Sequence, residues 1–599
     1  MTPGGGRRLG TLAVAAASLL ASACGRHPAP PNIVWIVVDT LRADHLPFYG
    51  YARDTAPRAA ALLARRGTQL EHAYAQAPWT LPSAASYLTG LDPARLANDE
   101  GEITRIPRGF PSLAERLREL GYSTAGFTAN FLLDKHNGFQ RGFDHFWSAR
   151  GGDSLREHAE SMQEPLLDWL RARPRDRRPL FLYVHYLDPH DPYENPDMPD
   201  GRSRFDPGYA GPFGGRDAHK IYVGVLAPDD PDAAARRLMA LYDGEIRYVD
   251  RFLGELVEES RRRLGRNTLF VLSSDHGEEF HEHGGWKHGQ TLYEEQIRVP
   301  LLFRWDGRIP AGRRVTSEVR LLDVVPTLLA AAGAAPTAGL DGENLLPMLL
   351  DRAREPPRRV AFASHWNFGR RRSAVVADRR KVILFNPRET FAAPQAVRER
   401  IEARDLARLE RVERYDLARD PGERSRLGRP IGPDEPALLD ALVGGLDPTL
   451  AGVRLLVRNL PPGATVEGQL EMEGAPQLVR PLFLGPDDEL VVEGAAVRYR
   501  FVGDGVPKGL EIVGAGGVVD GAWRASGPGG EELTAVAGRG ERYGGGPLSF
   551  EKLEVAALPP STGAPELRLW SRREPAIRPG DPSVEAETER RLRALGYLQ

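Results

Sequence analysis

Residues 32–40, "NIVWIVVDT", form an unbroken apolar run that ends on a carboxylate and a hydroxyl. Such a run has no polar face, so it predicts a strand buried on both sides. The pattern recurs in "RPLFLYVHYLDPHDPY" (178–193), which opens into a His- and Asp-rich turn, in "NTLFVLSSDHGEE" (267–279) and in "RVPLLFRW" (298–305). Between these runs the period lengthens. "PSLAERLRELGYSTAGFTAN" (111–130) predicts an amphipathic helix, a glycine stop and a strand, and residues 236–263 predict one long amphipathic helix. Helices alternating with buried strands predict an α/β fold, a mostly parallel sheet sandwiched by helices. Each polar cluster follows a strand, where the ligand crevice of an open α/β sheet lies. Asp39, the segment 185–191 and the segment 275–288 are therefore expected to converge.

Near residue 445 the pattern shortens to strict alternation. In "VRYRF" (497–501), Val497, Tyr499 and Phe501 share one face and Arg498 and Arg500 the other, and glycine-rich turns separate such pieces. This predicts a small C-terminal antiparallel β domain of sandwich type over 446–560. The expected organisation is a leader (1–24), a Pro-rich tether (25–31), a catalytic α/β domain (32–445), the β domain, and a linker with a terminal helix (561–599).

Composition narrows the function. The chain has 599 residues, 41% of them hydrophobic, and a net charge of −3, which argues against nucleic acid as the main partner. Its one cysteine, Cys24, leaves no internal disulfide and no Cys-rich metal site. "GRRLG", the short apolar run "TLAVAAASLL" and "ASAC" have signal-peptide form, and the run is too short to span a bilayer. Cys24 behind small residues resembles a bacterial lipoprotein cleavage box, although Ala21 stands where leucine is usual. The expectation is an exported, envelope-located lipoprotein anchored at Cys24, with an ordinary signal peptide or an uncleaved anchor as the alternatives.

Two stretches carry candidate chemistry. "SSDHGEEFHEHGGWKHG" (273–289) gathers four His, an Asp and three Glu in a glycine-rich loop. Carboxylate and imidazole at a strand end suit Zn²⁺, Mn²⁺ or Ca²⁺. "APWTLPSAASYLTG" (77–90) predicts a helix start, with Pro82 tolerated in the first turn and Ser83 helping to cap. Thr80 lies where its hydroxyl is either a cap or a nucleophile.

Together, "VVDTLRADHLPFYGY", "PWTLPSAASYLTG", "FLYVHYLDPHDPY", "LFVLSSDHGEEFHEHG" and "LYEEQIRVPLL" resemble the sulfatases of the alkaline phosphatase superfamily in order and spacing. "LLDVVPTLLAAAG", "LDGENLLPML" and "RYDLARDPGER" extend the likeness, so it covers residues 31 to 430. The resemblance implies an alkaline-phosphatase/sulfatase-like fold and a divalent metal held by Asp39, Asp275, His276 and Thr80, with Thr80 as the nucleophile. It implies that His190 meets the ester's anionic oxygens and that His288, or its neighbour Lys287, meets the bridging oxygen. Asn130 falls where sulfatases carry a Lys-x-His substrate pair, and His185 is a further substrate-binding candidate.

The departures are specific. Asp39–Thr40 stands where sulfatases pair two aspartates. Thr80-Leu81-Pro82-Ser83-Ala84 replaces Cys/Ser-x-Pro-Ser-Arg, whose Cys or Ser becomes formylglycine. A threonine ester must be released by water attacking the central atom, which suits phosphate or phosphonate esters at least as well as sulfate. The expected activity is metal-dependent hydrolysis of an anionic ester, glycan- or lipid-derived, through a covalent Thr80 intermediate. The alternatives are an envelope phosphoalcohol transferase and a catalytically inactive glycan-binding scaffold.

Overall fold

The computed structural model describes residues 29–96, 103, 105–149, 158–174, 178–198, 201–352, 359–364, 369–391, 412–428, 452–476, 478–513, 518–531, 533, 535–537, 541–543 and 565–571. The leader with Cys24 and the predicted terminal helix lie outside them.

The apolar runs are strands: β1 (Asn32–Val38), β2 (Thr68–Tyr74), β3 (Ser123–Thr128), β4 (His145–Ser148), β5 (Leu180–Tyr186) and β6 (Thr268–Ser273). A two-stranded hairpin follows, β7 (Glu279–Phe280) with β8 (Trp286–Lys287), then β9 (Arg298–Trp305) and β10 (Arg313–Arg320). Eight of these make one sheet in the order β10-β2-β9-β6-β1-β5-β3-β4. Neighbours are parallel except at β9, which runs antiparallel to β2 and β6. The reason is local: between β6 and β9 the chain has only the hairpin and one helical turn, Glu294–Ile297, so it returns from the same end of the sheet.

Strand β1 shows why a continuous apolar run was needed. Ile33, Trp35 and Val37 enter one core with helix α1 (Thr80–Thr89). Val34, Ile36 and Val38 enter the opposite core with α2 (Ala159–Ala172) and α3 (Pro231–Leu264). Burying each such side chain contributes about 1.5–3 kcal/mol.

Helix α1 starts differently from the expectation. Its N-cap is Trp79, which offers no side-chain cap, and Thr80 is the first helical residue. Ser83 does not cap; its Oγ donates to the Asp275 carbonyl at 2.6 Å, tying the helix to the loop after β6. The helix ends at Gly90, whose φ of +74° is the left-handed conformation of a glycine stop.

A four-stranded antiparallel sheet, absent from the sequence expectation, follows: β11 (Ala361–Ser364), β12 (Gly369–Ala377), β13 (Arg380–Phe391) and β14 (Val412–Asp416). Its two faces serve different neighbours. Val375, Ala377, Val382 and Leu384 pack with Leu456, Leu482 and Phe483 of the β domain. Ala374, Val376 and Ile383 pack with Tyr74, Leu292, Tyr293 and Ile297 of the α/β part. The β domain has a six-stranded and a four-stranded sheet around one shared core. Strand Glu566–Ser571 pairs inside the larger sheet, so the segment expected as a linker contributes to it. No helix among the described residues is long and apolar enough to cross a membrane.

Candidate active site

The carboxyl ends of β1 and β6 bring Asp39, Asp275 and His276 together, and the start of α1 adds Thr80. All four are buried, Thr80 at 3% exposure and the others at 0%. His276 Nε2 lies 3.3 Å from Thr80 Oγ1, 3.4 Å from Asp275 Oδ2 and 3.7 Å from Asp39 Oδ1. His276 Nδ1 donates to the Gly277 carbonyl at 2.9 Å, so Nε2 presents its lone pair to this centre. Asp39 Oδ1 and Asp275 Oδ2 are buried without a hydrogen-bond partner. Burying a carboxylate oxygen unpaired is costly, and such groups ordinarily pair or coordinate a cation. Ligand atoms 3.3–3.7 Å apart surround a point roughly 2.0–2.5 Å from each, the range of Zn²⁺ and Ca²⁺ bonds. The donor set therefore fits a divalent cation.

The other atoms of these ligands are fixed. Asp39 Oδ2 accepts from Asn130 Nδ2 at 2.6 Å and from His185 Nε2 at 3.1 Å. His185 Nδ1 faces the Tyr183 hydroxyl at 3.0 Å. Asn130 and His185, expected at the substrate, thus lie beneath Asp39 and orient it. Asp39, His185 and Asp275 also sit close enough to share an ion. His185 spends Nε2 on Asp39 Oδ2, however, so His276 is the better donor. Asp275 Oδ1 accepts from the backbone N–H groups of Thr40 at 3.1 Å and His276 at 2.9 Å. Thr40 is buried with φ +53°, and its Oγ1 has no hydrogen-bond partner. Tyr242 of α3 secures this turn, donating to the Thr40 carbonyl at 2.7 Å and accepting from Arg42 N at 2.9 Å.

Charge divides the two aspartates. Burial pushes Asp39 up, but the His185 hydrogen bond and the His190, His185 and His276 charges outweigh it, so Asp39 is held below the usual carboxylate range. Asp275 is raised, by burial and then by the Asp39 charge beside it.

His288 and His190 line the centre. The His288 ring lies 4.5 Å from that of His276 and 5.0 Å from that of His190. Its Nδ1 is 2.8 Å from Glu278 Oε1, and burial, then the His276 and His190 charges, lower its pKa well below the ordinary value. Lys287 turns elsewhere: Nζ is 2.7 Å from Asp191 Oδ1 and 3.5 Å from His219 Nδ1. Burial alone would lower Lys287, but the Asp191 charge raises it. His190, half-buried, directs Nδ1 to the Asp191 carbonyl at 2.7 Å.

The remaining polar candidates of the loops do not reach this centre. Asp188 accepts from Ala159 N at 2.6 Å and holds the start of α2. His281 stacks on Trp286. His283 pairs with Glu295 at 2.6 Å, stacks on Tyr293 and faces the Glu423 carbonyl at 3.1 Å. Glu279, grouped with His283 and Glu295, accepts from Gly285 N, Thr291 and Gln296, so its carboxylate is satisfied by donors around the cluster. Sequence reasoning did not single out Glu278, whose Oε1 meets His288 Nδ1. Its position two residues after the Asp–His pair was the available signal.

The carboxyl ends of the strands thus gather carboxylate, imidazole and a helix-borne hydroxyl under helices on both sides of the sheet. Residues 31–334 match the family model described as Sulfatase, and residues 281–392 match the one described as N-sulphoglucosamine sulphohydrolase, C-terminal. The chain belongs to the sulfatase family. Human arylsulfatase A is 29% identical over 71% of this chain and 89% of its own. Choline-sulfatase of Rhizobium meliloti is 26% identical over 69% and 85%. The phosphonate monoester hydrolase of Agrobacterium radiobacter shares the fold, with a TM-score of 0.51 at 20% identity, covering 66% of this chain and 91% of that one. Ps i-CgsB, solved with k-i-k-neocarrahexaose, does so with a TM-score of 0.51 at 21% identity, over 68% and 91%.

Proposed function

We propose that this protein is a metal-dependent hydrolase of anionic sulfate or phosphate/phosphonate esters that works through a covalent ester on Thr80. The observation that carries the reading is the convergence of two unpartnered carboxylate oxygens, the His276 Nε2 lone pair and the Thr80 hydroxyl on one buried point. A divalent cation held by Asp39, Asp275 and His276 would favour the Thr80 alkoxide and offset the charge of the ester.

The protein's own groups do the rest. Thr80 Oγ1, on the first residue of α1, makes the in-line attack in this reading, and the helix N–H groups there favour negative charge. His190 is the donor for the non-bridging oxygens, and donors aimed at developing charge are each worth about 10²–10³ in rate. His288, whose ring faces His276 and His190, serves the leaving oxygen; Lys287, committed to Asp191, supports the charge balance behind it. Water then attacks the central atom and frees Thr80. Sulfated or phosphorylated glycans and lipid-derived esters are the substrate classes this site suits, and the leader supports an envelope location with Cys24 as the anchor.

The test is turnover of aryl sulfate, aryl phosphate mono- and diesters and aryl phosphonate by the purified chain with added Zn²⁺, Mn²⁺ or Ca²⁺. Thr80→Ala is expected to lose turnover of every ester and keep its metal. Wild-type rates in Thr80→Ala would sink the nucleophile assignment.

A further inference from the structure

Glu278 is the one acidic side chain of the site loop that reaches a reacting-side group without being a candidate metal ligand. It is fully buried. Oε1 is 2.8 Å from His288 Nδ1, and Oε2 accepts from the Tyr193 hydroxyl at 3.0 Å. Its backbone is pinned as well: the N–H donates to the Glu295 carbonyl at 2.9 Å, and the carbonyl accepts from Arg42 Nη1 at 2.9 Å. A carboxylate held by Tyr193 on a backbone pinned at both its N–H and its carbonyl can fix an imidazole ring against rotation, as the carboxylates behind catalytic and metal-bound histidines do.

We propose that Glu278 is a positioning residue for His288: the Oε1–Nδ1 bond, which holds one proton between the two groups, leaves Nε2 with the proton that it gives to the leaving oxygen and regains from water. The proposal rests on the covalent Thr80 reading above. In the first displacement Thr80 Oγ1, entering as the alkoxide, bonds to sulfur or phosphorus. The bond to the leaving oxygen breaks, and that oxygen takes the proton from Nε2. In the second, water bonds to the central atom and yields a proton to Nε2, while the bond to Thr80 Oγ1 breaks and returns the alkoxide. One water is consumed, and one alcohol and one acid anion are released. The proton between Oε1 and Nδ1 moves onto Nδ1 as Nε2 gives up its own and returns to Oε1 when Nε2 regains it, so His288 stays neutral and the ring does not turn between the two transfers.

A role at the leaving oxygen has a signature that a structural role lacks. It matters most for esters of weakly acidic alcohols and least for 4-nitrophenyl esters, whose leaving group needs no proton. Glu278→Gln is expected to lower kcat about 10–100-fold on phenyl and alkyl esters and about threefold or less on the 4-nitrophenyl ester, with KM and bound metal unchanged. His288→Ala is expected to show the same leaving-group dependence, and the double variant Glu278→Gln/His288→Ala to be no slower than His288→Ala alone. Glu278→Asp, which retains the carboxylate, is expected to recover part of the loss on phenyl esters. Equal loss on every ester, or multiplicative losses in the double variant, would overturn the proposal. If Glu278→Gln does not fold, Tyr193→Phe removes the Oε2 bond and carries the test: a weaker form of the same dependence supports it, and an unchanged dependence overturns it. Full activity of Thr80→Ala would instead overturn the nucleophile, and the leaving-group series would still report on Glu278.

Discussion

At the scale of single residues, the site holds more strain and charge than a stable fold needs. Thr40 is β-branched at φ +53°, a conformation that costs such a residue about 1–2 kcal/mol. Its N–H and carbonyl hold Asp275 and Tyr242, and glycine would keep both bonds. Glycine loses about 0.5–1 kcal/mol in chain entropy, so relief of strain wins slightly. Thr40→Gly is therefore expected to melt at or above the wild-type temperature, and a clear drop in a thermal melt would refute the strain. Asp275 is raised by burial and by Asp39, so the apo site is self-repelling. Asp275→Asn is expected to raise the melting temperature of metal-stripped protein and to abolish the upward shift that added metal gives; a retained shift would show that Asp275 is not a ligand. The places of Asp39, Asp275 and His276 at strand ends and of Thr80 at a helix start were legible from the apolar runs, whereas their expected roles came from the resemblance to the sulfatases. Glu278 was not legible, since a carboxylate in a polar loop carries no periodicity, and its partner is a ring ten positions on.

At the scale of elements, the loop between β6 and β9 depends on a clamp. His283 sits between Glu295, Tyr293 and the Glu423 carbonyl. Burial would lower His283, but the Glu295 charge and hydrogen bond raise it to about 9 from an ordinary 6.5. The folded state therefore binds the proton more tightly, and the stabilisation is full below about pH 6.5 and lost as pH rises through 9. Glu423, raised to about 7 by burial against the opposing Lys381 charge, acts in the same direction between 4.5 and 7. Melting temperature is expected to fall by several degrees from pH 7 to pH 10, and the fall to be smaller in His283→Gln; equal slopes would remove the clamp. The buried strands were readable because burial on both faces demands unbroken apolar runs. Strand β10, "RRVTSEVR", was not, because it borders the sheet and keeps charged positions along its length. The sheet β11–β14 was missed for a related reason: its strands face two different cores, so no single face stands out.

At the scale of the whole molecule, that four-stranded sheet is a shared wall. Lys381 in β13 is fully buried, 2.9 Å from Glu423 and 3.3 Å from Glu294 beside the site loop. Removing one partner of such a group leaves buried charge uncompensated, at a cost of about 3–5 kcal/mol. Lys381→Met is expected to lower the melting temperature sharply, and Glu423→Gln on that background to restore part of it. Independent effects of the two substitutions would show that they do not share the network. The wall also explains why truncation before residue 361 is expected to yield insoluble protein: Tyr74, Leu292 and Ile297 would lose their cover.

The order of strands has a consequence in time. Thr40 and Asp275 are 235 positions apart, and Glu71 and Arg314 on the outer pair β2–β10 are 243 apart. The pairing of β1 with β6, which closes the site, needs the first 273 of the 599 residues. A nascent chain emerging from a ribosome or threading a translocation pore thus exposes its first apolar strand long before a partner exists. Its synthesis is expected to draw on chaperones, and catalytic competence appears late and all at once, when the reversed strand β9 closes the middle of the sheet.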